Sequence, residues 1–378
     1  MRVCDLTTLY LDGGQGGVNT YLEEKARNFA ERGIAHAVVV PGKRTSLRKL
    51  HGTDLHTLKS PPLPSNPQHR VLAQFGQVQR LLRDFRPDVV EVDCAYLLGK
   101  VAVAADRRVP VLGFYHVHLP TFIARPSAAR FSSRLAAAAE HWAWRYVDYC
   151  YRHCDRLIVS STDMQSRLQA RGFNRLERLP LGVNLDLFQP GETKANGVEP
   201  CRILYVGRLS REKDIHVLLD AFERLTPRAN YRLDVVGDGP LRSRLEKQAN
   251  GDARITFWGG LPYGEDLAQR YAEADILAMP SPNETFSLTI LEGLSAGLPV
   301  VAARRGGPLD LVAPHTGELA RPGDAADFAA KLARIAEAPE RYADTRAHAR
   351  RYAWDETFGS LLEIYQRALS RRSSHQAS

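Results

Sequence analysis

Short β-branched runs alternate with longer helical patterns along this chain, and the alternation restarts once, halfway along. In the first half, His36–Val40, Asp88–Val92, Val109–Phe114 and Arg156–Ser160 read as strands, and the amino terminus, MRVCDLTTLY, is strand-like as well. Between them lie helical patterns such as Val18–Arg32, which stops at Gly33, and Val71–Phe85, which stops before Pro87. Glycine frees the backbone for the left-handed turn that ends a helix, and proline cannot continue one. In the second half, Arg202–Val206, Tyr231–Val236, Arg254–Phe257, Asp275–Ala278 and Val300–Ala302 read as strands. Helices are expected at Asp214–Leu225, Leu241–Ala249, Glu265–Ala274 and Ser287–Ala296. Strands separated by whole helices cannot pair as hairpins; they form βαβ units and parallel sheets. Near-continuous apolar strands such as RLIVS and LPVVAA fit sheets covered on both faces.

Phe188–Pro200 (FQPGETKANGVEP) is polar and lacks periodicity, so it reads as a linker. The expected architecture is α/β: two doubly wound Rossmann-like domains, 1–187 and 201–353, facing across a cleft at the carboxyl ends of their strands, where such folds bind ligands. The terminal RRSSHQAS, within 370–378, reads as a disordered tail.

Composition narrows the class. With 44% hydrophobic and 25% charged residues, the chain is neither disordered, collagen-like nor a coiled coil. The net charge of +8 is unevenly held: residues 1–190 carry 26 Lys+Arg against 17 Asp+Glu, and residues 191–378 carry 25 against 26. A basic half suits nucleic acid, an anionic membrane surface or acidic small molecules, and also a merely solvated arginine-rich face. No nucleic-acid motif or aromatic-interleaved basic platform occurs, so a nucleic-acid partner is not expected. Cys4, Cys94, Cys150, Cys154 and Cys201 lack metal-ligand spacing and suit buried thiols. No run of 18 apolar residues exists, which points to a cytoplasmic protein, at most peripheral at the inner face of a membrane.

Four segments carry chemistry. Gly13-Gly14-Gln15-Gly16-Gly17 precedes helix Val18–Arg32, where free N–H groups suit a phosphate, although a tight strand–helix turn accounts for it equally. Val206-Gly207-Arg208-Leu209-Ser210-Arg211-Glu212-Lys213 follows a strand and places two cations at its carboxyl end; a solvated loop with a Glu212–Arg211 pair is the plainer reading. In Glu284-Thr285-Phe286-Ser287-Leu288, Thr285 is the expected N-cap, so Phe286, Ser287 and Leu288 open a helix with amides free for an anion. Glu292, further along that helix, leans back toward its mouth. Finally, Tyr115-His116-Val117-His118 ends a strand; His116 would point into the cleft, sharing a face with His118 if the strand continues. A satisfied histidine is the alternative.

Together these segments resemble the retaining glycosyltransferases of the GT-B fold, in particular glycosyltransferase family 4. The resemblance spans almost the whole chain and rests on Glu284…Glu292 in ETFSLTILEGLSAGLPVVA, on VGRLSREK, on VVGDGP (Val235–Pro240) and on PLGVNLDLF (Pro180–Phe188). FYHVHLPTF further resembles lipid-directed hexosyltransferases such as sulfoquinovosyl-diacylglycerol synthases and related mannosyltransferases.

The resemblance implies transfer of a hexose from a nucleotide sugar, with UDP and GDP both open, to a lipid or glycan acceptor. It assigns Arg208 and Lys213, beside Gly207, to the donor diphosphate, Glu292 to the ribose and Glu284 to the transferred sugar. The amides of Phe286–Leu288 would lie beside that sugar and the distal phosphate, Gly16 and Gly17 against the diphosphate, and His116 beside the sugar. Trp354–Leu369 would cross back onto the first domain. GGQGG departs from the commoner plain GGV, which leaves open which glycines touch phosphate. Glu91-Val92-Asp93 is the nearest acidic pair, and it belongs to a strand, so no metal or other cofactor is expected. An epimerase or phosphorylase of the same fold is the alternative. For the acceptor, Arg125–Arg178 stands out, with ten arginines against five acidic residues around Trp142, Trp144, Tyr146, Tyr149 and Tyr151. That composition suits an anionic bilayer, or a core beside a solvated face.

Overall fold

A computed structural model describes residues 1–11, 16–63, 66–93, 98–120, 132–191, 200–225 and 230–376, with the side-chain surroundings of 66–68 and 372–376 not described. The chain divides into two compact units: residues 1–160, 165–180 and 357–378 form the first, and 161–164 with 181–356 the second. The passage between them falls at Pro180/Leu181, seven residues before the expected boundary. Phe188, at the head of the expected linker, is buried against Tyr263 and Tyr271 of the second unit. Residues 192–199 of that linker lie outside the described residues.

The first unit is built on an eight-stranded sheet: β1 (Arg2–Leu6), β2 (Ala35–Gly42), β3 (Ser46–Leu50), β4 (Thr53–Lys59), β7 (Val89–Val92), β8 (Val111–Phe114), β9 (Arg156–Val159) and β10 (Leu176–Arg178). Their order is β10-β9-β8-β7-β1-β2-β4-β3, parallel except for β3 against β4. A separate antiparallel pair is β5 (Pro62–Leu63) with β6 (Asn66–Arg70). The helices are α1 (Gly17–Glu31), α2 (Phe75–Phe85), α3 (Leu98–Ala105), α4 (Ser133–Tyr151) and, from Gln165 on, α5 (Thr162–Gln169). Helix α2 starts four residues later than the pattern of residues 71–85 predicts. The β3–β4 hairpin was not legible, because SLRKL shows mostly exposed side chains and no alternation.

The second unit carries six parallel strands, β11 (Cys201–Val206), β12 (Tyr231–Val236), β13 (Ile255–Gly259), β14 (Ile276–Met279), β15 (Val300–Ala303) and β16 (Gly317–Ala320), in the order β13-β12-β11-β14-β15-β16. Its main helices are α6 (Ile215–Arg224), α7 (Arg242–Gln248), α8 (Glu265–Glu273), α9 (Leu288–Ser295) and α10 (Ala325–Glu337). Ile203, Leu218, Phe222, Leu233 and Leu332 interlock in one core between sheet and helices. Both strand orders reverse beside the first strand of the unit, the doubly wound arrangement that puts ligands at the carboxyl ends of the strands.

The last helix, α11 (Trp354–Gln376), begins in the second unit, where the Trp354 ring lies over Gly182 too closely for any Cβ there. From Thr357 it belongs to the first unit, with Thr357 Oγ1 donating to Pro180 O at 3.2 Å. The helix runs on to Gln376, and residues 377–378 of the tail expected over 370–378 lie outside the described residues.

Candidate active site

In the second unit the site is assembled from three loops at the carboxyl ends of β11, β14 and β15. The first, Gly207–Asp214, leaves β11 with Tyr205 OH donating to Arg208 O at 3.2 Å. It needs glycine on both sides: a Cβ on Gly237 (φ 144°), which follows β12, would fall 1.9 Å from Gly207 O. Arg208 extends into solvent, 3.8 Å from Glu212, and Ser210 Oγ donates to the same carboxylate at 2.5 Å. Glu212 therefore pairs with Arg208 and Ser210, not with Arg211.

The second loop, 280–287, is tied to the first. Asn283 Nδ2 and Ser281 Oγ both donate to Glu212 O, at 3.1 and 3.3 Å. Lys213 Nζ donates to Glu284 Oε1 at 2.7 Å, which closes the two loops around one ion pair. Lys213 and Glu284 are thus brought together, and Arg208 stands on the same loop as Lys213, beside Glu212.

The helix mouth differs in detail. Helix α9 starts at Leu288, and its N-cap is Ser287, not Thr285. Ser287 stands at φ 95°, a conformation costly for any residue with a Cβ, and its buried hydroxyl has no hydrogen-bond partner among the described residues. An unsatisfied hydroxyl at a helix N-terminus is a group that a bound anion would satisfy. Phe286 and Ser287 precede the helix, so their amides and that of Leu288 turn through the cap. Glu292 is one turn beyond Leu288, about 6 Å along the axis at 1.5 Å per residue.

Glu292 is buried, and Tyr271 OH, from α8, donates to its Oε2 at 2.6 Å. Burial lifts its carboxyl to about 7, against the Tyr271 hydrogen bond, which lowers it. The third loop follows β15: Gly307 N donates to Glu284 O at 2.9 Å. A Cβ on Gly306 would lie 2.3 Å from Glu284 O, and one on Gly307 2.0 Å from Phe286 O. Only a glycine pair lets the chain press against the back of the acidic loop.

In the first unit, Gly16 caps α1 with φ 146°, accepting from Thr20 N at 3.1 Å. Asn19 clamps the near side of that loop, its amide exchanging hydrogen bonds with Leu11 N (3.1 Å) and Leu11 O (2.7 Å). Gly17 is the first helical residue, while Gly13, Gly14 and Gln15 lie outside the described residues. His116 follows β8, its ring stacked on Phe114 at 4.0 Å and its Nε2 3.5 Å from Asp93 Oδ1. Burial, with Lys25 nearby, pulls His116 down to about 3, so it is neutral at pH 7. His118 does not share its face: it is buried, hydrogen-bonded to Tyr115 OH at 2.8 Å and set against Trp144.

Beneath His116 lies a fully buried charge network. The register places Asp5 of β1 directly beside Glu91 of β7, and two carboxylates there need a cation. Lys25 of α1 supplies it, 2.8 Å from each, and also donates to Tyr365 OH of α11 at 2.9 Å. Tyr21 and Tyr365 donate to Glu91 at 2.7 and 2.6 Å. Burial opposes ionisation of Asp5, but Lys25 and His36 outweigh it and hold the carboxyl below its usual range. Asp93 is pushed well above it, by burial and then by Glu91 and Asp5. Asp5, Glu91 and Asp93 are the described residues that could gather around a metal ion, and the Lys25 ammonium already contacts two of them.

Sequence reasoning missed Asn19, Lys25, Tyr271 and the Gly306–Gly307 pair. The glycine pair, two residues past an apolar strand, was the one signal available; the others are joined to their partners only by folding.

Two parallel Rossmann-like units with this set of loops define the GT-B fold of the glycosyltransferases. The family model described as "Glycosyltransferase Family 4" matches residues 15–187, and that described as "Glycosyl transferases group 1" matches residues 200–338. The chain belongs to this family and is a glycosyltransferase. It is 30% identical over 382 residues to a GDP-mannose-dependent alpha-mannosyltransferase of Mycobacterium tuberculosis, covering 97% of this chain and 96% of that one. It is 32% identical over 265 residues to the sulfoquinovosyl transferase SQD2 of Arabidopsis thaliana, covering 66% of this chain and 49% of that one. Among solved structures, the sucrose-phosphate synthase of Thermosynechococcus elongatus superposes with a TM-score of 0.78 at 20% identity, over 98% of this chain and 100% of that one.

Proposed function

We propose that this glycosyltransferase moves a hexose from a UDP- or GDP-linked sugar to an acceptor hydroxyl, with retention of anomeric configuration and without a divalent metal. The observation that supports it most is the gathering of Arg208, Lys213, Glu284 and the α9 mouth, with its unpartnered Ser287 hydroxyl, in one unit. Breaking an anomeric C–O bond throws negative charge onto the departing diphosphate. Arg208, Lys213 and the amides at Phe286–Leu288 stabilise that charge as it develops, the role a divalent cation fills in other transferases. Glu292 accepts hydrogen bonds from the ribose hydroxyls and Glu284 from the sugar. Gly207, Gly16 and Gly17 allow backbone to approach the diphosphate. His116, being neutral, serves the transferred sugar as a hydrogen-bonding group and not as an imidazolium acid. The relatives that match along nearly their whole length are named for GDP-mannose, which makes it the first donor to try.

For the acceptor, a membrane lipid is favoured over a soluble glycan precursor by the exposed face of α4. Leu135 and Trp142 are 55% and 65% exposed there, Tyr146 lies alongside, and Arg145 sits 5.5 Å from the Trp142 ring. Aromatic and cationic side chains on one helix face suit an anionic bilayer surface.

The test is a panel of GDP-mannose and UDP-glucose in EDTA, with crude lipid as acceptor. Acceptor-dependent release of nucleoside diphosphate and an α-linked product from an α-linked donor are expected. Conversion of the donor alone would indicate an epimerase, a need for free phosphate a phosphorylase, and rescue of an EDTA-inhibited rate by Mg²⁺ would remove the metal-independent step.

A further inference from the structure

The strands that lead to Asp93 and His116 have a second hollow at their opposite ends. Where β7 and β8 begin, a cavity of 830 Å³ opens between the C-terminal ends of α2 and α3 and the turn at 106–109. Ligand pockets run from about 300 to 1,000 Å³. The floor is apolar, with Val90 and Ala102 buried, and the rim carries Arg83, Arg86, Arg107 and Arg108. One carboxylate faces them, Asp106, and Arg108 already holds it with two guanidinium nitrogens, at 3.2 and 3.1 Å. The hollow is therefore strongly positive. Arg83 and Arg86 are exposed and make no ion pair or side-chain hydrogen bond with the described residues.

Helix termini account for only part of this. A cation in the last turn of a helix is favoured by its dipole, which covers Arg83. Arg86 stands past the end of α2 at φ 51°, a position glycine takes more easily. The dipole's influence fades within that last turn, so it does not call for four guanidinium groups around one apolar hollow.

We propose that this cavity binds a phosphate-bearing ligand, at a site separate from that of glycosyl transfer. Guanidinium forks match phosphate oxygens in pairs, and the apolar floor would take the ligand's carbon body. The phosphate is either that of a soluble metabolite or that of a phospholipid headgroup. This inference does not depend on the donor or acceptor proposed above.

Calorimetric titration with pyrophosphate tests it, in a chain whose donor site is disabled by Arg208→Ala/Lys213→Ala. One remaining site is expected, weakened at least tenfold by adding Arg83→Gln/Arg86→Gln, and unchanged by Arg341→Gln/Arg350→Gln, which removes equal charge elsewhere. Sedimentation with phosphatidylglycerol vesicles separates the sources: a headgroup ligand makes vesicle binding fall with Arg83→Gln/Arg86→Gln, whereas a soluble ligand leaves it unchanged while pyrophosphate binding falls. Pyrophosphate and vesicle binding both unaffected by Arg83→Gln/Arg86→Gln, or weakened equally by the control pair, overturns the proposal.

Discussion

Lys213 Nζ and Glu284 Oε1 stand 2.7 Å apart across 71 residues of chain, and that pair joins the cationic loop to the acidic one. The lysine is partly exposed and the glutamate nearly buried, so removing the cation strands a carboxylate in poor solvent. Two effects of Lys213→Ala should therefore separate. Transfer should fall by about 10²–10³ in kcat/KM through lost stabilisation of the leaving group, and the melting temperature should drop because Glu284 is left unpaired. Adding Glu284→Gln should restore the melting temperature but not the rate. A wild-type rate in Lys213→Ala would remove this residue from the donor diphosphate. Arg208→Ala, which leaves no buried partner behind, should lose rate without losing stability.

Glu292 gives a pH dependence of defined sign. Its carboxyl is lifted to about 7, above the ordinary glutamate range, so folding favours the protonated form. Its ionisation therefore costs stability as pH rises from the unfolded value toward 7 and beyond, by on the order of 3 kcal/mol at pH 8. A carboxylate that accepts two ribose hydroxyls must be ionised, so donor KM should rise as pH falls from 8 to 6. Glu292→Gln should raise the melting temperature at pH 8 more than at pH 5, while weakening donor binding at pH 8 and leaving it nearly unchanged at pH 5, where the wild-type carboxyl is already protonated. Tyr271→Phe removes the hydrogen bond that eases ionisation and should move the inflection in donor KM upward. A donor KM that stays flat from pH 6 to 8 would rule out an ionised Glu292 at the ribose.

The legible parts of this protein are those where local pattern and tertiary role coincide. Strands β14 and β15 were readable because parallel strands covered on both faces are apolar throughout, and β12 because its apolar residues alternate with polar ones before an unbroken Val235-Val236 end. Hairpin β3–β4 was not, since its solvent-facing residues follow no period. The start of α9 was misplaced because serine is an unusual residue at φ 95°, and no pattern announces it. The residues on which the proposed chemistry of the second unit rests, Arg208, Lys213, Glu284 and Glu292, could be singled out because they lie in two short segments. Lys25, Asp5, Glu91 and Tyr365 could not, because they meet only through sheet register and the return of α11.

That network predicts the largest stability effect. Lys25 is buried with two carboxylates, which outweigh the effect of burial and raise its own proton affinity. Removing one member of a buried charge cluster costs about 3–5 kcal/mol, so Lys25→Met should melt far below wild type at pH 7. Asp5 has its carboxyl depressed by the lysine, so its contribution is present above the unfolded value and lost as pH falls through the folded one. The gap between Lys25→Met and wild type should accordingly narrow in acid. A gap that is constant from pH 7 to pH 4 would mean the loss is packing alone.

Gly307 tests whether the acidic loop needs its backing. A Cβ there would meet Phe286 O at 2.0 Å and Phe286 Cα at 2.4 Å, both backbone atoms that cannot rotate away. Gly307→Ala must therefore push residues 284–287 outward, taking Glu284 from Lys213 and the Ser287 cap from the mouth of α9. Donor KM should rise about tenfold or more, with a lower melting temperature. Gly359, inside α11, has nothing within 4 Å of its would-be Cβ, and alanine there should add about 0.5–1 kcal/mol of stability without touching activity. If Gly307→Ala keeps the donor KM of wild type while Gly359→Ala stabilises as expected, the acidic loop owes its position to its own cap and its ties to Glu212, not to the glycine loop behind it.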